Sequence, residues 1–236
     1  MQNGPFIEEN KQLFYALLAL PAAVICYALV IVVLLYTPHT EYAYDLAIKD
    51  LAQFSLVVPN IIALYAVFIS ILFAQITTPF SKAFAWRTCR VSVWLGSVAC
   101  IICLTGIDIA LQQYFDLRLD SPWYHLLLQH QASWLWYGLL LFVVPCVEEC
   151  LFRGFIYYGI SRSVFGHSGA IALTAYLWAM PAGYHHPYWL LVNLVYGSVL
   201  GYARYLSHSI IPPMTMHVVC GLILFINSPA MPAQFW

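Results

Sequence analysis

Charged residues are scarce in this chain. Asp, Glu, Lys and Arg make up 8% of its 236 residues, whereas soluble domains carry about 25%. A chain with so few charges cannot cover a water-facing surface, which excludes an ordinary soluble domain. The sequence also lacks a block of basic residues, so we expect no nucleic-acid partner. It shows no internal repeat and no low-complexity linker, which favours a single membrane-embedded domain over residues 1–236.

The chain instead contains long apolar runs. Hydrophobic residues make up 63% of the chain, and several runs reach or approach the roughly 17–25 residues of a transmembrane helix. The pattern predicts an all-α, polytopic membrane helical bundle with about seven transmembrane helices, the range being six to eight. The predicted spans are approximately residues 13–36, 54–74, 91–111, 134–160, 169–184, 189–205 and 213–226.

The few basic residues indicate how these spans cross the bilayer. Loops that retain Lys and Arg usually lie on the cytoplasmic side. With the N-terminus inside, that side carries six of them and the opposite side carries Lys49 and Arg118. The six are Lys11, Lys82, Arg87, Arg90, Arg162 and Arg204. We therefore expect a multi-pass protein with a cytoplasmic N-terminus, whose first apolar run remains as an anchor because it lacks a basic leader and a cleavage site.

The fourth run contains three charges, Glu148, Glu149 and Arg153. A charge near the bilayer centre costs roughly 2.5–3.5 kcal/mol on insertion scales, so such residues usually mark a functional site. Glu149 and Arg153 are four residues apart and share a helix face, which predicts an ion pair. Glu148 is turned about 100° away. It is therefore the candidate general base, directed into a cavity.

Histidine is the usual partner of such a base, and the chain contains eight. His185 and His186 end the fifth run, at about the depth of Glu148 if each helix rises about 1.5 Å per residue. His217 reaches that depth if the chain enters the seventh span in extended form through two prolines. We expect His185, rather than His186, to meet Glu148 and His217 near mid-membrane. A Glu-His-His set could also hold zinc, but the sequence lacks H-E-x-x-H, so we expect no metal and no cofactor.

Residues 148–153, EECLFR, fit the motif E-E-x-x-x-R. With this motif the chain resembles the CAAX-protease and bacteriocin-processing family of intramembrane glutamic endopeptidases, which includes the Ras-converting endopeptidase. The resemblance covers roughly residues 137–226 and implies a catalytic core of this type over 134–227. The family's later motifs, F-x-x-x-H and H-x-x-x-N, are altered here. Pro181 and Ala182 precede the twin histidines by four residues, and Gly221 follows His217 by four.

The sixth run adds a glycine-rich element. Gly197 and Gly201 resemble the glycine-rich sixth helix of the family and form a small-xxx-small packing motif. Asn193 precedes Gly197 by four residues and shares its face. It is a candidate for the polar group that Gly221 cannot supply, and a simple interhelical hydrogen bond is the other interpretation.

The resemblance implies hydrolysis of a peptide bond without a covalent intermediate. Glu148 would activate water with help from His185, and His217 would stabilise the oxyanion, while Glu149, Arg153 and His186 support them. The compact length resembles bacterial members. We therefore expect a bacterial inner (plasma) membrane, and as substrate a membrane-embedded peptide or the C-terminal segment of a protein.

Two other classes of function stay open at this point. One is a proton-coupled transporter that uses the glutamates and histidines as a relay. Asp108, which we expect near the outer interface, suits this hypothesis best, although no related halves are visible in the sequence. The other is a catalytically inactive scaffold of the same fold, which the altered motifs favour.

Overall fold

The computed structural model of the chain describes residues 85–115, 138–180 and 187–227. These residues form helices and contain no strand, as the all-α prediction requires. The helices are α1 (Val91–Tyr114), α2 (Val144–Glu149), α3 (Tyr157–Ser161), α4 (Gly166–Ala179), α5 (Pro187–Ser207) and α6 (Ile211–Ile226). The first two predicted spans lie outside the described residues, so seven spans and a cytoplasmic N-terminus stay predictions.

Helix α1 has the properties of a membrane span. It is the one helix within the described ranges whose length and composition suit a membrane crossing, and α6 is a shorter apolar helix. Its exposed side includes Val91, Leu95, Ile102 and Ile107. A continuous apolar face of this kind suits contact with lipid better than contact with water. The opposite side of α1 packs on α5 and α6.

The fourth predicted span is helical but is not a regular α-helix. Two π-helical stretches, Leu139–Val143 and Cys150–Ile156, precede and follow α2, and α3 completes the segment. We call Leu139–Ser161 the acidic segment. Pro145 lies in the first turn of α2, where its ring and missing N–H disturb the preceding turn. The wider π-helical turn before it accommodates that disturbance, and such turns are frequent at functional sites.

Helices α4 and α5 form the closest helix pair, and glycine makes the approach possible. A Cβ atom added at Gly197 would lie 2.9 Å from the Cα of Ala175 in α4. One turn later, a Cβ at Gly201 would lie 3.2 Å from a side-chain carbon of Ile171. Both glycines are buried. The small-xxx-small motif therefore lies at the α4–α5 interface, as expected for close packing of membrane helices.

Two details of the later spans differ from the sequence prediction. The extended entry into the seventh span is wrong, because Pro212 and Pro213 lie inside the first turn of α6. Proline is tolerated there, since the first N–H groups of a helix have no partner within it. The fifth span also begins earlier than predicted, at Gly166, and its described helix ends at Ala179. Gly166 has a φ of 58°, a conformation that glycine adopts without strain.

Apolar packing joins these helices in two clusters. One cluster joins the acidic segment to α4 and α6, and its fully buried members include Ile156, Ile160, Ala170 and Ile210. The other joins α1, α5 and α6 through Ile101, Tyr196, Leu200, Ala203, Met216 and Cys220. The acidic residues therefore lie on a segment that is enclosed by helices whose positions are fixed by packing.

Candidate active site

Glu149 is enclosed in the protein together with Arg153. Arg153 Nη1 donates to Glu149 Oε1 at 2.9 Å, and neither side chain is exposed. Arg153 Nη2 donates to the backbone oxygen of Gly197 at 3.1 Å, which ties the acidic segment to α5. The ion pair expected from the four-residue spacing is present. Because a buried charge is tolerated only with its partner, this pair holds the turn that carries both glutamates.

His217 on α6 lies between the two glutamates. Its Nδ1 is 2.9 Å from Glu149 Oε1, and its Nε2 is 3.9 Å from Glu148 Oε2. An ionised carboxylate only accepts hydrogen bonds, so Nδ1 is the nitrogen that carries the proton in the short contact. The longer separation exceeds a direct hydrogen bond. Nε2 therefore faces Glu148 without a direct hydrogen bond to it.

The two glutamates differ in their access to the surroundings. The side chain of Glu148 is 25% exposed and that of His217 is 15% exposed, whereas that of Glu149 is fully buried. Glu148 and His217 can therefore reach a water molecule or a substrate, and Glu149 cannot. The assignment of Glu148 to catalysis and of Glu149 to a supporting role stays a prediction.

Trp178 on α4 completes the described site, and the sequence analysis missed it. Its indole Nε1 donates to Glu148 Oε2 at 2.8 Å. The ring meets that of His217 edge-on at a centroid distance of 5.2 Å, and the guanidinium carbon of Arg153 lies 5.2 Å from its centroid. One sequence signal could have found it: Trp178 is an aromatic residue four positions before Ala182, at the spacing of F-x-x-x-H without the histidine.

Several predicted site residues lie elsewhere or outside the described part of the chain. His185 and His186 fall in 181–186, outside the described residues, so their roles stay predictions. Asn193 is half-buried on α5, and within the described ranges no hydrogen bond joins it to Glu148 or His217. Its role also stays a prediction. At Gly221 an added Cβ would meet only Leu141 Cδ2, at 4.0 Å, so this position has space for a side chain.

A second polar cluster lies between α1, α5 and α6. Asp108 on α1 accepts hydrogen bonds from the hydroxyl groups of Tyr188 and Tyr196 and from Gln112 Nε2. Thr105, one turn earlier, contacts the Cys220 sulfur at 3.5 Å. Asp108 is 4% exposed. Neutral donors on α1 and α5 therefore hold its carboxylate inside the protein, where it forms a polar contact between helices.

The described residues contain no group of three or more His, Cys, Asp or Glu side chains that could hold a metal ion. The zinc alternative needs His185 or His186, which lie outside those residues. The chemistry of the described site therefore depends on two carboxylates, an imidazole, a guanidinium and an indole.

A comparison with known protein families finds a match to part of this chain. Residues 130–223 match the family model described as type II CAAX prenyl endopeptidase Rce1-like. This part of the chain is similar to that family. The match supports the resemblance found from E-E-x-x-x-R, and the matched residues include both glutamates, Arg153, Trp178 and His217. The family is a membrane-embedded protease family. No curated protein and no solved structure matches the chain.

Proposed function

We propose that this protein is an intramembrane endopeptidase in which Glu148 activates water to hydrolyse a peptide bond. The observation that carries the proposal is the contrast between the two glutamates. Glu149 is sealed and paired with Arg153, while Glu148 is partly exposed and faces Nε2 of His217. A carboxylate beside a histidine at one open site is the arrangement expected of a general base and its partner.

Glu148 and His217 would act in sequence on water and substrate. Glu148 takes a proton from water as the water oxygen bonds to the peptide carbonyl carbon. The tetrahedral intermediate places its negative oxygen toward His217, whose Nε2 donates to it in the imidazolium form, with protons on both ring nitrogens; a preorganised donor of this kind contributes ~3–4 kcal/mol. Glu148 then returns the proton to the peptide nitrogen, and the C–N bond breaks to give a carboxylic acid and an amine. Glu149 holds Nδ1 and so keeps Nε2 directed at the reaction.

We propose supporting roles for three further residues. His185 assists Glu148, with His186 as the alternative, and Asn193 supplies a polar group near the oxyanion. Separate His185→Ala and His186→Ala variants decide between the two histidines, since only the one that assists should lower kcat strongly. Asn193→Ala should lower kcat less than His217→Ala, because it removes one neutral donor.

The substrate we propose is a membrane-associated peptide or the C-terminal segment of a protein in a bacterial inner membrane. The Rce1-like match names prenyl endopeptidases, so prenylation is the first property to compare. Two peptides of identical sequence, one prenylated on a cysteine near its C-terminus and one anchored by an apolar helix, separate the possibilities. Cleavage of the helix-anchored peptide alone supports our proposal, and cleavage of the prenylated peptide alone contradicts its substrate.

The decisive experiment measures cleavage of these peptides by the purified full-length protein in detergent or nanodiscs. We expect Glu148→Gln and His217→Ala to abolish cleavage, and a chelator to leave the wild-type rate unchanged. A rate that falls with chelator and returns with zinc indicates the metal site instead. Cleavage by Glu148→Gln at the wild-type rate contradicts the mechanism. Absence of cleavage by the wild-type protein would favour an inactive scaffold or a transporter.

A further inference from the structure

Among the described residues, Trp178 is the one that donates a hydrogen bond to Glu148. The indole Nε1 donates to Oε2 at 2.8 Å. Among the described residues no group hydrogen-bonds Oε1, so the two carboxylate oxygens have different surroundings. An N–H donor fixed on one oxygen orients the carboxylate and leaves the lone pairs of the other available. The two oxygens can therefore have different functions.

The indole ring itself is held by more than its own helix. It contacts His217 on α6 edge-on at 5.2 Å, and the guanidinium of Arg153 lies 5.2 Å from the ring centroid. Edge-on ring pairs and cation–π contacts both depend on ring orientation. Contacts with α6 and with the acidic segment therefore fix the Trp178 ring. The two contacting residues, His217 and Arg153, also hydrogen-bond Glu149.

We propose that Trp178 is a positioning residue whose indole N–H fixes Oε2 of Glu148, so that Oε1 accepts the proton of the attacking water. This inference rests on the proposed function, since it assigns an atom to the proton transfer that Glu148 performs. The ring also holds His217 at the same site through its edge. One side chain thereby sets the relative orientation of the base and of the oxyanion donor.

The alternative is that Trp178 only fills space between helices. Trp94 on α1 provides a matched control, because its Nε1 also donates to another helix, to Thr215 Oγ1 at 3.2 Å. Trp94→Phe removes one interhelical indole hydrogen bond at a position with no contact to Glu148. Trp178→Phe removes the same chemical group from the site. If Trp178→Phe lowers kcat and Trp94→Phe does not, the loss comes from removing the donor at Glu148 and not from losing an indole in general.

The kinetic test compares the two variants with wild type on the peptide that the protein cleaves. Hydrogen bonds to charged groups contribute enough that Trp178→Phe should lower kcat about 10- to 100-fold with little change in KM. The charged groups around Glu148, namely His217, Arg153 and Glu149, are unchanged in this variant. Trp94→Phe should change neither quantity.

A spectroscopic test does not require activity. In protein labelled with ¹⁵N-tryptophan, the indole resonance that disappears in Trp178→Phe belongs to Trp178. Glu148→Ala should move this proton resonance upfield, because the indole N–H loses its acceptor. Glu148→Ala retains Trp178, and Trp178→Tyr supplies the assignment if Trp178→Phe folds poorly.

The outcomes separate this inference from the proposed function. An indole resonance that is unaffected by Glu148→Ala overturns the inference. It is also overturned if Glu148→Gln is inactive while Trp178→Phe keeps the kcat of Trp94→Phe. Cleavage by Glu148→Gln at the wild-type rate overturns the proposed function itself. The resonance would then still report whether the contact between Trp178 and Glu148 exists.

Discussion

Replacing Gly197 by alanine should destabilise the protein, because the α4–α5 interface has no space for a methyl group there. The new Cβ would lie 2.9 Å from Ala175 Cα, 3.0 Å from Ala175 Cβ and 3.2 Å from Arg153 Nη2. Carbon atoms pack at about 3.5–4.0 Å, so the helices must separate by at least about 0.6 Å. The atom in the way belongs to the backbone of α4, which cannot rotate aside as a side chain can.

Two costs follow from that separation. Overpacking of this kind costs typically 1–3 kcal/mol. Moving α5 also weakens the hydrogen bond from Arg153 to the Gly197 oxygen, and bonds from charged donors contribute about 1.5–3 kcal/mol. We expect Gly197→Ala to lower the free energy of unfolding by roughly 2–5 kcal/mol in total. The same shift displaces Arg153 relative to Glu149, so peptide cleavage should fall as well.

Gly106→Ala is the matched control, since an added Cβ at Gly106 in α1 meets nothing within 4 Å. Alanine favours helix over glycine by up to about 1 kcal/mol, so this variant should be unchanged or slightly more stable. Unfolding of both variants by titration with dodecyl sulfate in mixed micelles, followed by circular dichroism, gives the comparison. If Gly197→Ala unfolds at the same dodecyl sulfate concentration as Gly106→Ala, the reasoning from close helix approach is refuted.

Three further predictions concern the ion pair, the space at position 221 and the second polar cluster. Glu149→Leu or Arg153→Met alone should each cost roughly 3–5 kcal/mol of stability, and the double variant should cost less than their sum; additive losses would contradict pairing. Gly221→Asn should fold like Gly221→Ala and raise kcat, because an amide there could reach the oxyanion; equal kcat values for these two variants would argue against that role. Tyr196→Phe should lower stability by about 1–3 kcal/mol in the same unfolding assay, since Asp108 loses a buried donor, and an unchanged midpoint would contradict this.

The parts of the site that depend on local spacing were predictable from the sequence. Glu149 and Arg153 are rare charges in an apolar run, and residues four apart face each other on a helix. The two glutamates could be assigned different surroundings for the same reason. His217 was selected by its estimated depth, and the extended entry used for that estimate was wrong, because Pro212 and Pro213 lie in the first turn of α6.

The parts that depend on packing between helices were not predictable from spacing. Trp178 contacts Glu148 from thirty residues away, and its one sequence signal, the spacing of F-x-x-x-H, is incomplete because Ala182 replaces the histidine. The burial of Asp108 likewise depends on tyrosines of α5. The π-helical turns were missed because apolar periodicity does not distinguish them from α-helix. Pro145 was the one local hint of a disturbed helix.

The hydrogen bonds of Asp108 join α1 to α5, so the folding unit should include α1. Helix α1 lies before residue 130, where the family match begins. The carboxylate of Asp108 on α1 nevertheless accepts hydrogen bonds from Tyr188 and Tyr196, which lie inside that match. A fragment that starts at residue 130 would leave both hydroxyl groups without this acceptor in a largely apolar setting. We therefore expect that a fragment beginning at the boundary of family similarity does not fold on its own. Co-expression of α1 as a separate peptide should restore such a fragment by complementation.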